Sequence, residues 1–567
     1  MIDSMAGLQL LLLPGLVMMA GAAVLFALRG PLRDAVALAV PLAVLALVWL
    51  LPEGSSEPLR WLGYELVPYR SDALSRLFGS AFAIAAFAGG LFGLRQPERN
   101  ETPVAFLYAG GAIGVAFAGD LLTFFIFWEV MAVCATVVVW LGGPKAHAAG
   151  QRYIVVHLLG GMLLMAGIAG HVAATGSIAF DAMAPDSIPT WLILLGFLIN
   201  VAAWPLSSWV PDAYPSASWS GTVFLSAFTT KAAVLALIRG FPGAEVLVPI
   251  GVVMIVYGTI YATRESDVRR LLAYALVAQL GFMVTAVGVG SDLALNGAAA
   301  HAVSGVFYQA LLFMVAGSVV VATGRSALAD LGGLGRSMPF TAACAVVGAA
   351  AIAAFPLTSG YVAKGMIADA VTAGGEPVAW FIVTAGAAAA VLHAGLRMPW
   401  LVFFGPGGAA TGAADPAPSM RIAMAVLALV TLAIGIFPST FMGFLPRVAE
   451  TEPYSASHVV GQVQLLAFAA LGMALMWRWL VPTRGITLDV DWLWRWLVPS
   501  VLAALNGPSA RARDALGART WRGGERLVDA VYRHYGPGGV LGRSWPTGSM
   551  ALSVVVLLAA YLAFYYL

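Results

Sequence analysis

Residues 191–239 read WLILLGFLINVAAWPLSSWVPDAYPSASWSGTVFLSAFTTKAAVLALIR and decide the fold. They predict an apolar helix that starts at Trp191 and carries Asn200 in its middle. Three prolines, at positions 205, 211 and 215, then interrupt the helical hydrogen bonding. A second apolar helix follows and carries Lys231 deep inside it. Because irregular backbone survives in lipid only where it is buried in protein or lines a wet cavity, a broken helix beside a buried lysine predicts an ion path across a membrane.

The composition is that of a membrane protein. Of the 567 residues, 60% are hydrophobic and 10% are charged, whereas soluble domains average about 25% charged residues. The net charge of +2 argues against a nucleic-acid partner. Cys134 and Cys344 offer neither a disulfide framework nor a metal-binding spacing, and no redox-cofactor motif is visible. The first apolar run is long enough to span a membrane and leads into another, so no cleavable signal peptide is expected.

Sixteen apolar runs approach the roughly 20 residues that a membrane span needs. We therefore expect an all-α polytopic membrane protein with about 14 core transmembrane helices and about two more at the C-terminus. The predicted spans are 8–29, 34–52, 72–94, 104–120, 121–142, 151–175, 190–212, 218–240, 243–263, 268–290, 294–322, 339–371, 378–404, 420–440, 459–481 and 547–567.

Arginine and lysine concentrate in alternate loops. The positive-inside rule then predicts that the basic loops face the cytoplasm and that both termini face outward. We expect this orientation in a bacterial cytoplasmic (inner) membrane. Residues 482–546 form the one large polar stretch. Its first part is amphipathic and rich in tryptophan, which predicts a helix along the membrane interface, and its remainder is basic.

Two proline-broken segments lie five spans apart. WPLSS at 204–208 breaks the seventh span, and FPLTS at 355–359 breaks the twelfth. Because five is an odd number, the second segment runs in the opposite direction. Broken helices at matching positions of two inverted halves indicate a transport pathway, so we expect two inverted five-helix repeats. The predicted divisions are N-terminal helices (1–103), a first repeat (104–240), a second repeat (241–404), C-terminal core helices (405–481), a cytoplasmic segment (482–546) and a terminal helix (547–567).

Ionisable side chains inside the predicted spans are the candidate site residues. Glu129 lies in the fifth span, where a carboxylate costs about 2.5–3.5 kcal/mol on insertion scales. A structural hydrogen bond between helices returns only about 0.6 kcal/mol, which favours a functional role. The chain has three lysines, and two of them, Lys231 and Lys364, lie within spans. A buried lysine can release its proton, whereas an arginine cannot.

Three histidines are further candidates. His301 opens the eleventh predicted span, and His157 and His393 lie in or near other spans. A histidine inside a membrane is at least as often a helix–helix hydrogen-bond partner as a proton relay. Of the three, we take His301 as the candidate for the main pathway.

Several long segments resemble the antiporter-like subunits that Mrp-type sodium/proton antiporters share with respiratory complex I. The nearest likeness is to the D-type subunit of the Mrp antiporters, and it covers about residues 70–440. The resembling segments, in chain order, are the glutamate helix GDLLTFFIFWEV (119–130), the proline-broken helix WPLSSWVPDAYPSAS (204–218), SDVRRLLAYALVAQLGFM (266–283), the loop ADLGGLGRSMPFTA (329–342) and the helix FPLTSGYVAKG (355–365).

The resemblance implies a role for each matching residue. Glu129 looks like the glutamate that pairs with a central lysine in the family. Lys231 looks like the connecting lysine of the eighth span, and Lys364 like the exit-side lysine of the twelfth.

The chain departs from the family pattern in two spans. The central lysine falls at Asn200 in this chain. In the eleventh span, Gln309 and Gly305 stand where the family usually has lysine and histidine. Asparagine and glutamine can hold a water molecule but do not take up a proton at neutral pH. The glutamate–lysine switch of the family therefore lacks its cation here.

The function that the resemblance implies is a proton-translocating, antiporter-like subunit of a multisubunit Mrp-type Na⁺/proton antiporter. Such a chain is a transporter subunit rather than an enzyme and needs no cofactor. Its partners would be other hydrophobic subunits, the lipid bilayer, protons and Na⁺. Protons would pass through water between Glu129, the Asn200 region, Lys231, His301 and Lys364. Two alternatives stay open: a non-conducting scaffold subunit, or the proton-pump module of a complex I-like or hydrogenase redox complex.

Overall fold

The fold was analysed in a computed structural model of the chain. It describes residues 13–61, 63–406, 413–448 and 451–481, scattered residues between 489 and 533, and 547–566. The chain forms two compact units, Met1–Thr487 and Leu488–Leu567. The predicted interfacial helix and the basic remainder of 482–546 lie largely outside the described residues.

The described parts are built from α-helices, apart from two small β-ribbons. In chain order the helices are α1 Pro14–Ala27, α2 Gly30–Leu50, α3 Ala73–Phe92, α4 Glu101–Phe117, α5 Leu121–Trp140, α6 His147–Thr175, α7 Ile188–Asn200, α8 Trp209–Ala213, α9 Gly221–Ala227, α10 Thr229–Gly240, α11 Leu247–Arg264, α12 Val268–Val289, α13 Asp292–Thr323, α14 Pro339–Ile352, α15 Ser359–Ala373, α16 Pro377–Ala390, α17 Pro418–Ile436, α18 Pro438–Met442, α19 Ala456–Leu480 and α20 Thr547–Tyr566.

Each of the sixteen predicted spans contains a described helix. Twelve helical segments are long and apolar enough to cross a membrane, and four shorter apolar helices (α1, α4, α7 and α14) fill the remaining positions. The protein is therefore a multi-pass membrane protein. Helices α9, α10, α12 and α13 are buried along most of their length and form the centre of the first unit.

The two β-ribbons lie between α2 and α3. Strands β1 (Gly54–Ser55) and β4 (Arg70–Ser71) pair antiparallel around the inner ribbon of β2 (Leu59–Trp61) and β3 (Tyr64–Leu66). They shape the loop between the second and third spans, which the sequence analysis had left without strands.

A repeated cap supports the internal duplication. Asp120 precedes α5 and accepts hydrogen bonds from the backbone N–H groups of the second and third residues after it, at 2.9 and 2.8 Å. Asp267 precedes α12 and accepts the same pair of bonds at 2.9 and 3.0 Å. Each aspartate also forms an isolated β-bridge to the loop after the next helix, at Ala179 and Ala327 respectively. Helices α5 and α12 lie five spans apart, as the inverted repeat predicts.

The helix breaks agree with the prolines, with two corrections. The seventh span breaks between α7 and α8, and the twelfth breaks between α14 and α15. The helix before the first break begins at Ile188 rather than Trp191, and Asn200 is its last residue rather than its middle one. The eighth span is also broken, between α9 and α10 at Phe228. No proline or glycine lies at the break in the eighth span, so the sequence predicted one continuous helix there.

Candidate functional site

Glu129 and Asn200 face two adjacent glycines of α6. A Cβ on Gly161 would overlap the carboxylate of Glu129, and a Cβ on Gly160 would lie 3.4 Å from Nδ2 of Asn200. Two residues without side chains thus let the acid of α5 and the amide of α7 approach the same part of α6. Glu129 is half-buried, Asn200 is fully buried, and the buried Oε1 and Oδ1 atoms have no hydrogen-bond partner among the described residues.

His157 lies one turn before Gly161 on the same face of α6. Its ring stacks on Tyr153 with 3.8 Å between centroids and meets the edge of Trp209 at 4.6 Å. The indole N–H of Trp209 donates to the Ile199 carbonyl at 3.1 Å, which satisfies one of the backbone groups that the break after α7 exposes. His157 therefore lies against Trp209, the first residue of the helix that follows the first break.

Side chains form hydrogen bonds with the backbone groups that the helix break at Phe228 leaves free. The N–H of Thr229 donates to the hydroxyl of Tyr108 at 2.9 Å, and the carbonyl of Ser226 accepts from Nζ of Lys231 at 2.6 Å. A helix interior normally satisfies such groups itself, and unpaired buried backbone groups are costly. Here Tyr108 and Lys231 take over that role. The Lys231 side chain is fully buried and does not reach the membrane interface.

Gln309 accepts the second hydrogen bond of Lys231 through Oε1. Gly305 lies one turn earlier on α13, and a Cβ there would approach Cε of Lys231 to 3.6 Å. Both eleventh-span positions that depart from the family pattern therefore lie beside this lysine. Among the described residues, neither Lys231 nor Lys364 has a carboxylate within 4.0 Å.

His301 lies in the interior of α13 rather than at its start, nine residues after Asp292. The predicted span, 294–322, nearly coincides with this helix, so the description of His301 as opening the span was wrong. The ring of His301 is fully buried, and neither nitrogen has a hydrogen-bond partner in the described part of the chain. Its centroid lies 6.0 Å from that of Phe282 on α12.

Lys364 lies against the same phenylalanine, Phe282. Its Nζ atom lies 5.0 Å from the centroid of Phe282 and donates to the Ile352 carbonyl at 2.7 Å. Ile352 is the last residue of α14, so the second proline-marked break supplies the acceptor for this lysine. Both buried lysines therefore bond a carbonyl that a helix break exposes.

His393 lies in the π-helical segment Val391–Arg397 that continues α16. It is fully buried, and its two ring nitrogens have no partner among the described residues. Single π-helical turns inside α-helices occur frequently at functional sites.

Residues that the sequence analysis missed connect the two groups. The hydroxyl of Thr229 lies 2.6 Å from that of Tyr108 and 3.2 Å from that of Tyr153. Tyr153 stacks on His157, and Thr229 is two residues before Lys231. This hydroxyl bridge thus links α6, beside His157, to α10, two residues before Lys231. In the sequence, these three residues are visible only as hydroxyl-bearing side chains within apolar spans. Such side chains are too common in membrane helices to mark a functional site.

The described residues contain no group of three or more His, Cys, Asp or Glu side chains that could hold a metal ion. What they present instead is a buried series of polar side chains. It passes from α5 and α6 through α10 and α13 to α15, with Phe282 between His301 and Lys364. Such a series can exchange protons if water completes the missing hydrogen bonds.

Comparisons with known proteins identify the family. Residues 118–391 match the family model described as NADH:quinone oxidoreductase/Mrp antiporter, TM. The N subunit of the NADH-quinone oxidoreductase of Desulforudis audaxviator is 30% identical over 335 residues, covering 55% of this chain and 67% of that protein. The A/B subunit of the probable K⁺/H⁺ antiporter of Rhizobium meliloti is 29% identical over 406 residues, covering 66% of this chain but 40% of that longer protein.

The fold also matches that of one chain in a solved complex. A chain of the membrane-bound sulfane sulfur reductase, an archaeal respiratory membrane complex, superimposes with a TM-score of 0.71 at 21% identity, covering 96% of this chain and 99% of that one. At this identity the likeness concerns the fold. Together with the matching sequence segments, it leads to one assignment. The chain belongs to the family of antiporter-like membrane subunits shared by NADH:quinone oxidoreductases and Mrp antiporters.

Proposed function

We propose that this chain translocates protons as one component of a multisubunit Mrp-type monovalent cation/proton antiporter in a bacterial cytoplasmic membrane. The exchanged cation is Na⁺, and the position in the complex is that of the D-type subunit. The pathway runs through Glu129, Asn200, Lys231, His301 and Lys364. Other hydrophobic subunits pack along its flanks within the lipid bilayer.

One observation carries the proposal, namely the continuity of the buried polar series. The hydroxyl bridge Tyr108–Thr229–Tyr153 connects the lysine-bearing helix α10 to α6, the helix against which Glu129 and Asn200 lie. Isolated polar contacts between helices would have no reason to line up in this way. A proton pathway needs neighbouring groups that can donate and accept in turn.

The pathway also needs water, and the unsatisfied atoms supply a reason for it. Buried polar side chains in proteins are almost always hydrogen-bonded to protein or to ordered water. Along the series, Asn200 Oδ1, both nitrogens of His301 and Gln309 Nε2 have no protein partner among the described residues. We infer that water molecules bond these atoms and connect the ionisable groups.

Asn200 and Gln309 have a defined part in this mechanism. Each can donate to one water and accept from another without becoming charged. They orient water between Glu129 and Lys231 and carry no proton themselves. The titrating groups are then the carboxylate at one end and the two amines with His301 at the other, while the transmembrane potential supplies about 2.3 kcal/mol per charge per 100 mV.

The name of one relative supports antiport. The Rhizobium relative is described as part of a probable K⁺/H⁺ antiporter, and the family description includes the Mrp antiporters beside the NADH:quinone oxidoreductases. Antiport is the activity that both descriptions name. We take Na⁺ as the cation from the Mrp-type resemblance, and replacing Na⁺ by K⁺ in the assay below tests that choice.

The experiment is cation-dependent proton flux in membrane vesicles that carry the whole complex. We expect Lys231→Ala and Lys364→Ala each to abolish the flux, while Lys145→Ala in an exposed loop leaves it unchanged. The amount of assembled complex is measured in each preparation. Normal flux in both buried-lysine variants would reject the relay.

A scaffold role is the second candidate, and Asn200 and Gln309 are its evidence, because the family pattern places lysines at these positions. A non-conducting scaffold requires that Glu129→Gln leaves transport intact while deletion of the chain disassembles the complex.

A third candidate is a proton-pump module of a redox complex, which the fold of the sulfane sulfur reductase chain favours. Copurification with iron–sulfur or quinone-reducing subunits would support that assignment.

A further inference from the structure

A groove of about 800 Å³ lies between the C-terminal half of α19 and the segment that follows α16. Every described residue along its wall is apolar or a glycine. Its volume is within the roughly 300–1,000 Å³ that is typical of ligand sites. Two of the lining side chains, Trp400 and Val481, are 46% and 45% exposed, so the groove is open at the surface of the first unit. Its occupant must therefore be apolar along most of its length.

One side of α19 forms the first wall of the groove. The lining residues of this helix and its end are Ala470, Met473, Ala474, Trp477 and Val481. Their spacing of three and four residues places them on one face. From position 470 to the helix end at position 480, α19 rises by roughly 15 Å at 1.5 Å per residue. This is about half of the roughly 30 Å hydrocarbon core of a bilayer, so the groove has the length of the acyl chains of one leaflet.

Backbone hydrogen bonds join the other two walls. The second wall is the π-helical segment Trp400–Phe404, and the third is the loop that contains the short helical turn Leu328–Asp330. The N–H of Gly335, further along this loop, donates to the Phe403 carbonyl at 2.9 Å. The loop and the π-helical segment are therefore held together independently of α19.

Helix α19 is attached to the core at both ends of the groove. Before the groove begins, Ala469 packs in one cluster with Ala353 and Val391. Where the groove ends, Nε of Arg397 donates to the Leu480 carbonyl at 2.7 Å, and this arginine is 1% exposed. Because both attachments are inside the protein, the groove between them is a fixed feature of the fold.

An arginine of α19 stands at the end of the groove. Arg478 lies four residues after Ala474 and three before Val481, which puts it on the same helix face as these two lining residues. It is exposed, and its guanidinium lies 4.8 Å from the ring centroid of Trp479. The apolar face of α19 thus ends in a cation.

The loop that forms the third wall adds two more arginines. Arg325 donates from Nη1 to the carbonyl of Asp330 at 3.2 Å, and Arg336 is exposed directly after Gly335. Among the described residues, neither these two arginines nor that of α19 has a carboxylate within 4.0 Å. Three arginines beside the single acid of this loop, Asp330, leave this end of the groove positively charged.

The charged end belongs to the cytoplasmic side in the predicted orientation. The loop with Arg325 and Arg336 is one of the basic loops, which the positive-inside rule assigns to the cytoplasm. The cytoplasmic leaflet is the one that carries anionic lipids, and basic pockets between membrane helices on that side bind their headgroups. Trp400 and Trp477 line the groove, and tryptophan is the side chain that membrane proteins place at headgroup level.

We propose that this groove binds one anionic phospholipid of the cytoplasmic leaflet. The acyl chains lie between α19 and the segment Trp400–Phe404, and the phosphate lies among Arg325, Arg336 and Arg478. The lipid fills the space between the two attachments of α19 and so fixes this helix against the core. Helix α19 lies beyond residues 118–391, the part that matches the family model. The site depends on the fold and the charges alone, so it does not rest on the proposed function.

The first experiment locates the lipid. The full complex is placed in phosphatidylcholine vesicles that contain a small fraction of phosphatidylglycerol with a photoreactive acyl chain, and the cross-linked peptides are mapped after irradiation. We expect cross-links within 470–481 and 400–406. Ala474→Trp should abolish them by filling the groove, at an equal amount of assembled complex. Leu471→Trp is the matched control, because this exposed residue of the same helix does not line the groove.

The second experiment tests the headgroup. It compares photoreactive phosphatidylglycerol with phosphatidylcholine that carries the same acyl chains. In the double variant Arg336→Gln/Arg478→Gln, we expect the preference of the groove for phosphatidylglycerol to fall by at least about tenfold, because both cations near the phosphate are lost. The double variant Arg29→Gln/Arg95→Gln removes two exposed arginines from other basic loops and should keep the preference.

Three results would each overturn the proposal. Unchanged cross-linking in Ala474→Trp would place the lipid outside the groove. Equal cross-linking by the two lipids in the unaltered chain would show that the arginines do not select a headgroup. Absence of any cross-link within the groove would assign it to a protein segment, either from another subunit or from residues 482–546 of this chain.

Discussion

Lys231 on α10 donates a hydrogen bond to the side-chain oxygen of Gln309 on α13, which occupies a position where the resembling family usually has lysine. The second acceptor of the same ammonium is the Ser226 carbonyl at 2.6 Å, exposed by the break at Phe228. The amide and the broken helix together replace the carboxylate that a buried ammonium usually needs. The break and the substitution are thus parts of one arrangement.

The first prediction concerns Gln309. Gln309→Leu removes an acceptor from a buried charge, and we expect the loss to cost about 1–3 kcal/mol, read as a lower thermal unfolding midpoint of the solubilised complex. Gln309→Glu should instead hold the proton on Lys231 through a buried ion pair and slow the proton flux. The same two substitutions at the exposed Gln151 of α6 provide the control. Faster flux in Gln309→Glu would contradict this account.

The second prediction concerns Glu129. Glu129→Gln keeps the shape and hydrogen-bonding capacity of the side chain but removes its ability to bind and release a proton. We expect cation-dependent proton flux to fall by at least about tenfold, with unchanged assembly. Glu376→Gln, at an exposed position before α16, should leave the flux unchanged. Flux at the normal rate in Glu129→Gln would favour the scaffold role.

The third prediction concerns the hydroxyl bridge. Thr229→Val keeps the volume of the side chain but removes its hydroxyl. The hydroxyl of Tyr153 then loses its bond to Thr229, and the hydroxyl of Tyr108 keeps only the bond from the backbone N–H of residue 229. We expect a cost of about 1–3 kcal/mol together with slower proton flux. Thr372→Val, whose hydroxyl bonds only its own exposed helix in the described residues, is the control. A loss of stability without any change in flux would confine the bridge to a structural role.

The fourth prediction concerns the buried end of α10. Arg239 donates from Nη2 to both oxygens of Asp72, at 3.0 and 2.9 Å, and its side chain is 4% exposed. Asp72→Asn leaves a buried guanidinium without its counter-ion. Breaking a buried pair costs about 3–5 kcal/mol, and the partial exposure of Asp72 places the expected loss near the lower end.

Asp181→Asn is the matched control, because Asp181 is largely exposed and pairs with Arg70 at 3.1 Å. Surface ion pairs contribute about 0–1 kcal/mol. The measurement is the thermal unfolding midpoint of each variant in the solubilised complex. Equal shifts in the two variants would show that burial of Arg239 does not govern the stability of this region.

The proline-marked breaks were predictable because their cause is local. Pro205 and Pro356 each remove a backbone donor, and an apolar run on either side leaves few alternatives to a broken membrane helix. The break at Phe228 has no local cause. It depends on Tyr108, more than a hundred residues earlier, and on the side chain of Lys231. Only the packing of three separate helices brings these groups to the exposed backbone.

The burial of Arg239 was hidden for a similar reason. In the sequence it stands at the end of an apolar run and reads as a loop residue. In the fold it is 7% exposed and donates to carbonyls at the end of α4 as well as to Asp72. The two buried lysines were predictable because lysine is scarce in this chain. Their hydrogen-bond acceptors were not predictable, because those carbonyls lie at helix breaks and the sequence does not specify where the breaks lie in space.

The repeated caps have a consequence for direction. Counted from Asp120 and Asp267, Glu129 and the buried Leu276 occupy the same step of α5 and α12. The backbone is duplicated, but the acid is not. Because a leucine stands where the other half has a carboxylate, a proton approaching from one face of the membrane would meet a different first partner from one approaching from the other. The two faces of the duplicated scaffold are therefore chemically distinct, while the gradients across the membrane set the direction of net transport.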